Sequence, residues 1–274
     1  MTKRRIAPVD LDTGEIVTDG YYLRNRAQDE AYRKKLDRER YMAIDVGKRW
    51  VASYHTPIKR ESSALELREA GAVMKLLPYM RFNNDGKLMC EGKPLTRADM
   101  SRTFKRGESA TDAIISGLEK RGILQIDRSK KPIEYYMSDE FHAMGAVREG
   151  ERFTKVYQVR TREITDGLSL EDAGILYKIV PYFHYERLYL CANPDEQDVD
   201  KVELLSRKEL AAILGYRPES LSRAVLRLRR QGALMSTISG RTSIFYVHPD
   251  LMFRQAVDSD YADTIRKMFE THMR

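Results

Sequence analysis

The sequence predicts an α+β, mostly α chain that carries one small fold twice, between a charged N-terminal arm and a C-terminal helix. Three observations support that reading. A ten-residue stretch recurs 103 residues later, helical spacing in each copy is bracketed by capping residues, and each copy closes on two strand-like runs around a polar turn.

The repeat comes first, because a fixed internal offset decides the architecture. Ala70-Gly71-Ala72-Val73-Met74-Lys75-Leu76-Leu77-Pro78-Tyr79 returns as Ala173-Gly174-Ile175-Leu176-Tyr177-Lys178-Ile179-Val180-Pro181-Tyr182. Tyr54 and Tyr157 keep the same offset, whereas Cys90 and Cys191 fall two residues short of it. Beyond a loop of changed length the offset becomes 110: Leu95-Thr96-Arg97 meets Leu205-Ser206-Arg207, and Tyr135-Tyr136-Met137 meets Phe245-Tyr246-Val247. The expected parts are an arm (1–49), a first copy (50–145), a linker (146–152), a second copy (153–255) and a C-terminal amphipathic helix (256–274).

In the second copy, Ser169 to Pro181 has apolar residues at helical spacing, with Ser169 as N-cap and Glu171 and Asp172 in the first turn. A short strand is expected over Leu188 to Cys191. Ser206 and Glu209 have capping-box spacing at the head of a second helix ending at Leu214. Gly215-Tyr216-Arg217 is the turn. Pro218 suits the first position of a third helix, which runs to about Gln231 and stops at Gly232. Ala233 to Ile238 and Thr242 to Val247 then flank Ser239-Gly240-Arg241, a hairpin signal. Helix, strand, helix, turn, helix and hairpin is the order of a winged helix-turn-helix.

The first copy repeats the order. Thr96 and Asp99 open its second helix, Ser109 to Arg121 is its third, and Gly122 is the stop. Leu124 to Ile126 and Ile133 to Met137 flank a basic tip, Asp127-Arg128-Ser129-Lys130-Lys131. In the arm, Asp12-Thr13-Gly14 suggests a small hairpin, and Arg26 to Arg40 permits a helix without an apolar stripe. Asp258 to Met273 gathers Tyr261, Ile265, Met268, Phe269 and His272 on one side of a helix, suited either to its own domain or to a second subunit.

Composition bounds the function. The 274 residues include 48 Lys and Arg against 41 Asp and Glu, a net charge of +7 that points to a polyanionic partner. No apolar run approaches the roughly 18 residues of a membrane span, so no membrane is expected. The start, Met1-Thr2-Lys3-Arg4-Arg5, has no apolar run behind it, so no signal peptide is expected. Two cysteines cannot make a disulfide scaffold, and a reducing cytoplasm fits best. Collagen, disulfide-rich toxins, membrane channels and wholly disordered chains are excluded. There is no G-x-x-x-x-G-K-[ST] loop, no His-x-His and no Cys-x-x-Cys. The five His are scattered singly, so neither catalysis nor a cofactor nor a metal is expected.

Ser220-Leu221-Ser222-Arg223-Ala224-Val225-Leu226-Arg227-Leu228-Arg229-Arg230-Gln231-Gly232-Ala233-Leu234 resembles the recognition helix and wing entry of winged-helix DNA-binding proteins. A further likeness joins Asp10-Leu11-Asp12-Thr13-Gly14-Glu15-Ile16, a winged helix, and Pro249-Asp250-Leu251-Met252; this pattern is similar to the Firmicutes plasmid replication protein family. That resemblance implies a sequence-specific DNA binder acting at a plasmid origin. The tandem arrangement departs from that family and resembles the paired winged helices of iteron-plasmid initiators.

At about 100° per residue from Leu221, Val225 and Leu228 share its side, while Arg223 and Arg230 lie opposite with Arg227 and Ser220 beside them. Leu226 also projects outward, without a partner to explain it. The expected contacts to double-stranded DNA are Arg217, Ser220, Ser222, Arg223, Arg227, Arg230 and the wing residue Arg241. In the first copy Arg102, Lys105 and Arg106, with Arg128, Lys130 and Lys131 of its wing, are expected to grip phosphates, and Ser109, an outward position of its third helix, is a further expected DNA contact. Its outward helix positions, Ala113, Ser116 and Asp112 among them, suit base readout less well. The expected role is plasmid or phage replication initiation at origin repeats. The alternatives are a phage or plasmid transcriptional regulator and a protein-pairing module. A homodimer through the C-terminal helix or the first domain is the expected protein partner.

Overall fold

The computed structural model describes Thr13, Tyr32 and residues 49–82, 85–239, 242–256 and 259–273. Apart from Thr13 and Tyr32, the expectations for the arm lie outside the described residues, as does Arg241. Everything below belongs to the second of two compact units of the chain, Gly47–Arg274.

Helices and small antiparallel sheets alternate. The first half has β1 (Trp50–Tyr54), α1 (His55–Glu61), α2 (Leu67–Leu76), β2 (Met89–Cys90), β3 (Lys93–Pro94), α3 (Arg97–Phe104), α4 (Glu108–Lys120), β4 (Leu124–Asp127), β5 (Glu134–Met137) and β6 (His142–Ala143). The second has β7 (Phe153–Tyr157), α5 (Gln158–Asp166), α6 (Leu170–Lys178), α7 (Arg207–Leu214), α8 (Pro218–Arg230), β8 (Leu234–Ser239), β9 (Thr242–Val247), β10 (Met252–Phe253) and α9 (Asp260–Met273).

The local signals explain the helix starts. Thr96 with Asp99 and Ser206 with Glu209 both close capping boxes, and Ser169 accepts from the Asp172 N–H. The long helix expected over Ser169 to Pro181 stops earlier. α6 ends at Lys178 and tightens into a 3-10 turn over Val180–Tyr182, as α2 does over Leu77–Tyr79. Pro78 and Pro181 lack the N–H that would continue an α-helix. The strand expected at Leu188 to Cys191 is reduced to single bridges, Tyr189 to Tyr246 and Cys191 to Leu204 among them. Leu188 sits at φ 57°, outside the extended region, and this breaks the run.

A strand and a helix that the sequence reading did not separate precede α2 and α6. They build a four-stranded sheet, β10-β7-β1-β6, shared by both halves. The β1–β7 register pairs Trp50 with Tyr157, Ala52 with Lys155 and Tyr54 with Phe153. Lys155 is Ala52 advanced by 103, so the pairing maps onto itself when the halves are exchanged. The flanking strands obey the same exchange: the Tyr54 N–H donates to the Phe141 carbonyl, and the Tyr157 N–H to the Leu251 carbonyl. Lys155, fully buried on this local two-fold, holds its ammonium 5.1 Å from the centre of the Trp50 ring.

Behind the sheet α2 crosses α6 at two glycines. A Cβ on Gly71 would lie 1.8 Å from the Leu170 carbonyl oxygen, and one on Gly174 would lie 2.0 Å from that of Leu67. Only hydrogen fits at either place. The crossing lets Val73, Met74, Leu76, Ile175, Leu176 and Ile179 pool into one buried core. The C-terminal helix α9 buries Ala262, Ile265 and Phe269, and the Phe269 ring lies 4.8 Å from that of His248. Its apolar stripe thus packs on its own unit.

Candidate nucleic-acid interface

Leu210, Ala211 and Leu214 of α7 and Leu221, Ala224, Val225 and Leu228 of α8 are buried, which fixes how the two helices pack. Between them Gly215 takes the left-handed conformation, φ 70°, that ends α7. β8 and β9 form the hairpin that follows, in continuous register from Leu234–Val247 to Ser239–Thr242.

The opposite side of α8 is exposed. Arg223 and Arg230 lie on it, and Arg217 stands exposed at the N-cap. None of the three forms an ion pair with a described residue. Ser220 is half-buried, and the Ser222 hydroxyl donates to the Pro218 carbonyl at 3.3 Å. Guanidiniums on an exposed helix face after a tight turn can offer paired donors to guanine or phosphate.

Arg227 departs from expectation. Its Nε and Nη2 donate to the two carboxylate oxygens of Asp172, at 2.7 and 2.6 Å. That bond holds the Arg227 pKa above its ordinary value. Asp172 is buried, so the pair ties α8 to the first turn of α6. The sequence places Arg227 among the expected DNA contacts; in the fold two of its donors are engaged by Asp172, and its side chain stays half exposed. The first half uses the equivalent place differently. Gly117 stands where Arg227 does, and the Glu69 carboxylate fills the space a side chain there would take. Arg121 then pairs with Glu69 at 3.2 Å.

Most of the first half's cations are engaged by other residues of the chain, from either half. Arg97 bridges Glu108 and Asp112 on α4. Arg102 pairs with Asp99, and Arg106 lies 3.6 Å from Glu171. Lys105 donates to the Asp166 carbonyl at 2.7 Å. Arg128 makes two bonds to Glu119, whose carboxyl it holds below the usual range. Exposed pairs of this kind are worth at most about 1 kcal/mol, so phosphate can displace them, but it must compete. Lys130 and Lys131 are exposed and form no ion pair with a described residue, and Ser109 is exposed near the start of α4. Of the six first-half cations expected to grip phosphate, Lys130 and Lys131 are the two without an ion pair among the described residues.

Sequence reasoning passed over Arg207 and Lys208. Both are exposed in the first turn of α7, without an ion pair among the described residues. The first helix of a helix-turn-helix crosses the DNA backbone, which could have flagged them. Cys191 is buried and Cys90 half-buried, both as free thiols. Among the described residues no three His, Cys, Asp or Glu side chains converge as a metal site would need. No helix among them is long and apolar enough to cross a membrane.

Residues 186–250 match the model of the Crp-like helix-turn-helix domain. The matched segment spans the bridged Leu188–Cys191 run, α7, α8 and the β8–β9 hairpin. The match supports a winged-helix DNA-binding protein and sequence-specific binding to double-stranded DNA. It gives no specific support to a replication-initiator family. No curated protein and no solved structure is significantly similar to the chain.

Proposed function

We propose that the protein is a tandem winged-helix binder of specific double-stranded DNA, working in the cytoplasm, in which α8 reads bases and the β4–β5 wing grips phosphate. One observation carries the reading. Arg217, Arg223 and Arg230 stand exposed in an HTH without carboxylate partners among the described residues, while the counterparts of the latter two in the first half are Ala113 and Lys120. The repeated element order supports taking the first half as a second winged helix. The leading role is initiation of plasmid or phage replication at origin repeats, on the likeness of the paired halves to iteron-plasmid initiators. A transcriptional regulator is the second reading, favoured by the Crp-like match.

The test is selection of bound DNA from a random pool, followed by salt titration on the winning site. Binding weakens by about 0.9 log units per tenfold salt for each phosphate neutralised. A flat dependence, or no enriched sequence, favours a protein-pairing module instead. Clustered selected sites at an origin support initiation; a single site over the protein's own promoter supports regulation.

A further inference from the structure

Leu226 is 47% exposed, on the same face of α8 as Arg223 and Arg230. Every other apolar residue of that helix, Leu221, Ala224, Val225 and Leu228, is buried. A single exposed leucine on a protein surface normally needs no explanation. This one differs in its place. Arg223 is three residues before it and Arg230 four after, so the three side chains are neighbours on one helix face. Ser222, one turn earlier, borders them. The packing of the unit does not require an apolar group there, for the corresponding position in the first half is Ser116, also exposed.

We propose that Leu226 is a specificity-determining residue that packs against the 5-methyl group of thymine. The inference rests on the DNA-binding reading above and deepens it. A leucine side chain neither donates nor accepts hydrogen bonds. In the major groove the apolar feature that a base edge offers is the thymine methyl. The flanking arginines fix the helix against guanine or phosphate, and this brings the leucine to an adjacent base pair. The recognised sequence therefore contains a thymine within one or two base pairs of the guanines read by Arg223 or Arg230.

The experiment uses the full chain and the site selected from a random pool. Each thymine in turn is replaced by deoxyuridine, which removes only the methyl group. Wild type loses about fourfold in affinity at one or two of these positions, the equivalent of one buried methyl group. Leu226→Ala binds the thymine and deoxyuridine sites equally, whereas Leu226→Met keeps the discrimination. Leu226 is exposed, so thermal melting of both variants stays at the wild-type value. Two results overturn the assignment: wild type indifferent to every replacement, or Leu226→Ala as sensitive as wild type. If wild type is indifferent and Leu226→Ala changes the oligomeric state by light scattering, the leucine meets protein instead. If the pool yields no enriched site, the DNA-binding reading itself fails and this assignment falls with it.

Discussion

Arg227 on α8 and Asp172 on α6, 55 residues apart, are joined by two hydrogen bonds of 2.7 and 2.6 Å. The carboxylate is buried and the guanidinium half exposed. The third helix of the domain is thereby locked to the first by charge as well as by Leu221 and Leu228. Glu69 and Arg121 make a looser version in the other half, at 3.2 Å through one nitrogen.

Removing Arg227 leaves a buried carboxylate without its donors. Arg227→Ala is expected to lower stability by about 2 kcal/mol, the usual range for a lost hydrogen bond to a charged group. Asp172→Asn, which keeps an acceptor, costs less. Thermal or urea melting of the two variants checks this. A neutral Arg227→Ala, with DNA affinity lost at unchanged stability, would return Arg227 to the reading face.

Arg223 is the contrast. It makes no ion pair with a described residue, so Arg223→Ala leaves melting unchanged. It is expected to cost about 1–3 kcal/mol of specific binding and to relax preference at one or two base pairs. Competition binding against single-base variants of the selected site measures both effects.

In the first half, on the proposed reading of the wing, Lys130→Ala is expected to remove a phosphate contact, which carries no sequence information. All sequences weaken alike, and the salt slope falls by about one unit. Asp112→Ala acts in the opposite sense. Asp112 holds Arg97 at 2.7 Å, so its removal lifts a negative charge from α4 and leaves Arg97 paired with Glu108 alone. Nonspecific affinity is expected to rise, with stability changed by less than about 1 kcal/mol, since the pair is exposed. An unchanged affinity would show that α4 faces away from DNA.

The α2–α6 crossing sets the most severe stability effect. Gly71→Ala or Gly174→Ala places a methyl group against a carbonyl oxygen of the facing helix backbone, which cannot rotate away. Each is expected to destabilise by about 3 kcal/mol or more, at the top of the range for overpacking. Gly92→Ala meets no atom within 4 Å but pays for its left-handed φ of 80°, so it serves as the milder control. Equal melting temperatures for all three would contradict the close approach.

Much of this was legible because it is local. The Thr96–Asp99 and Ser206–Glu209 boxes span three residues, and the Leu221, Val225 and Leu228 stripe lies within one helix. The relation between the halves was not legible. The repeat marks Gly71 and Gly174 as equivalents but does not say that they touch. Trp50–Tyr54 and Phe153–Tyr157 are largely buried and show no alternation, so neither stood out as a strand. Asp172 read well as a first-turn acid on α6, and only the fold brings Arg227 to it.

β1 and β7 pair about Ala52 and Lys155, and α2 meets α6 glycine to glycine. Both contacts are unchanged when the halves are exchanged, as at an isologous interface. α4 packs with α2, and α8 with α6, so the same rotation relates the two third helices. DNA read across a two-fold presents inverted half-sites, with centres about 10 base pairs apart when both helices dock on one face. The halves of the site must also differ, for Arg223 faces Ala113 and Leu226 faces Ser116 across that exchange. One chain should therefore cover an imperfect palindrome, with strong base preference in one half and weak preference in the other. Hydroxyl-radical footprinting of the selected site, with the chain-to-DNA ratio from analytical ultracentrifugation, measures this. Two protected segments in direct repeat under one chain would show that the local two-fold does not extend to the reading helices. A perfect palindrome holding two chains, each protecting one half through α8 alone, would show that α4 does not bind DNA.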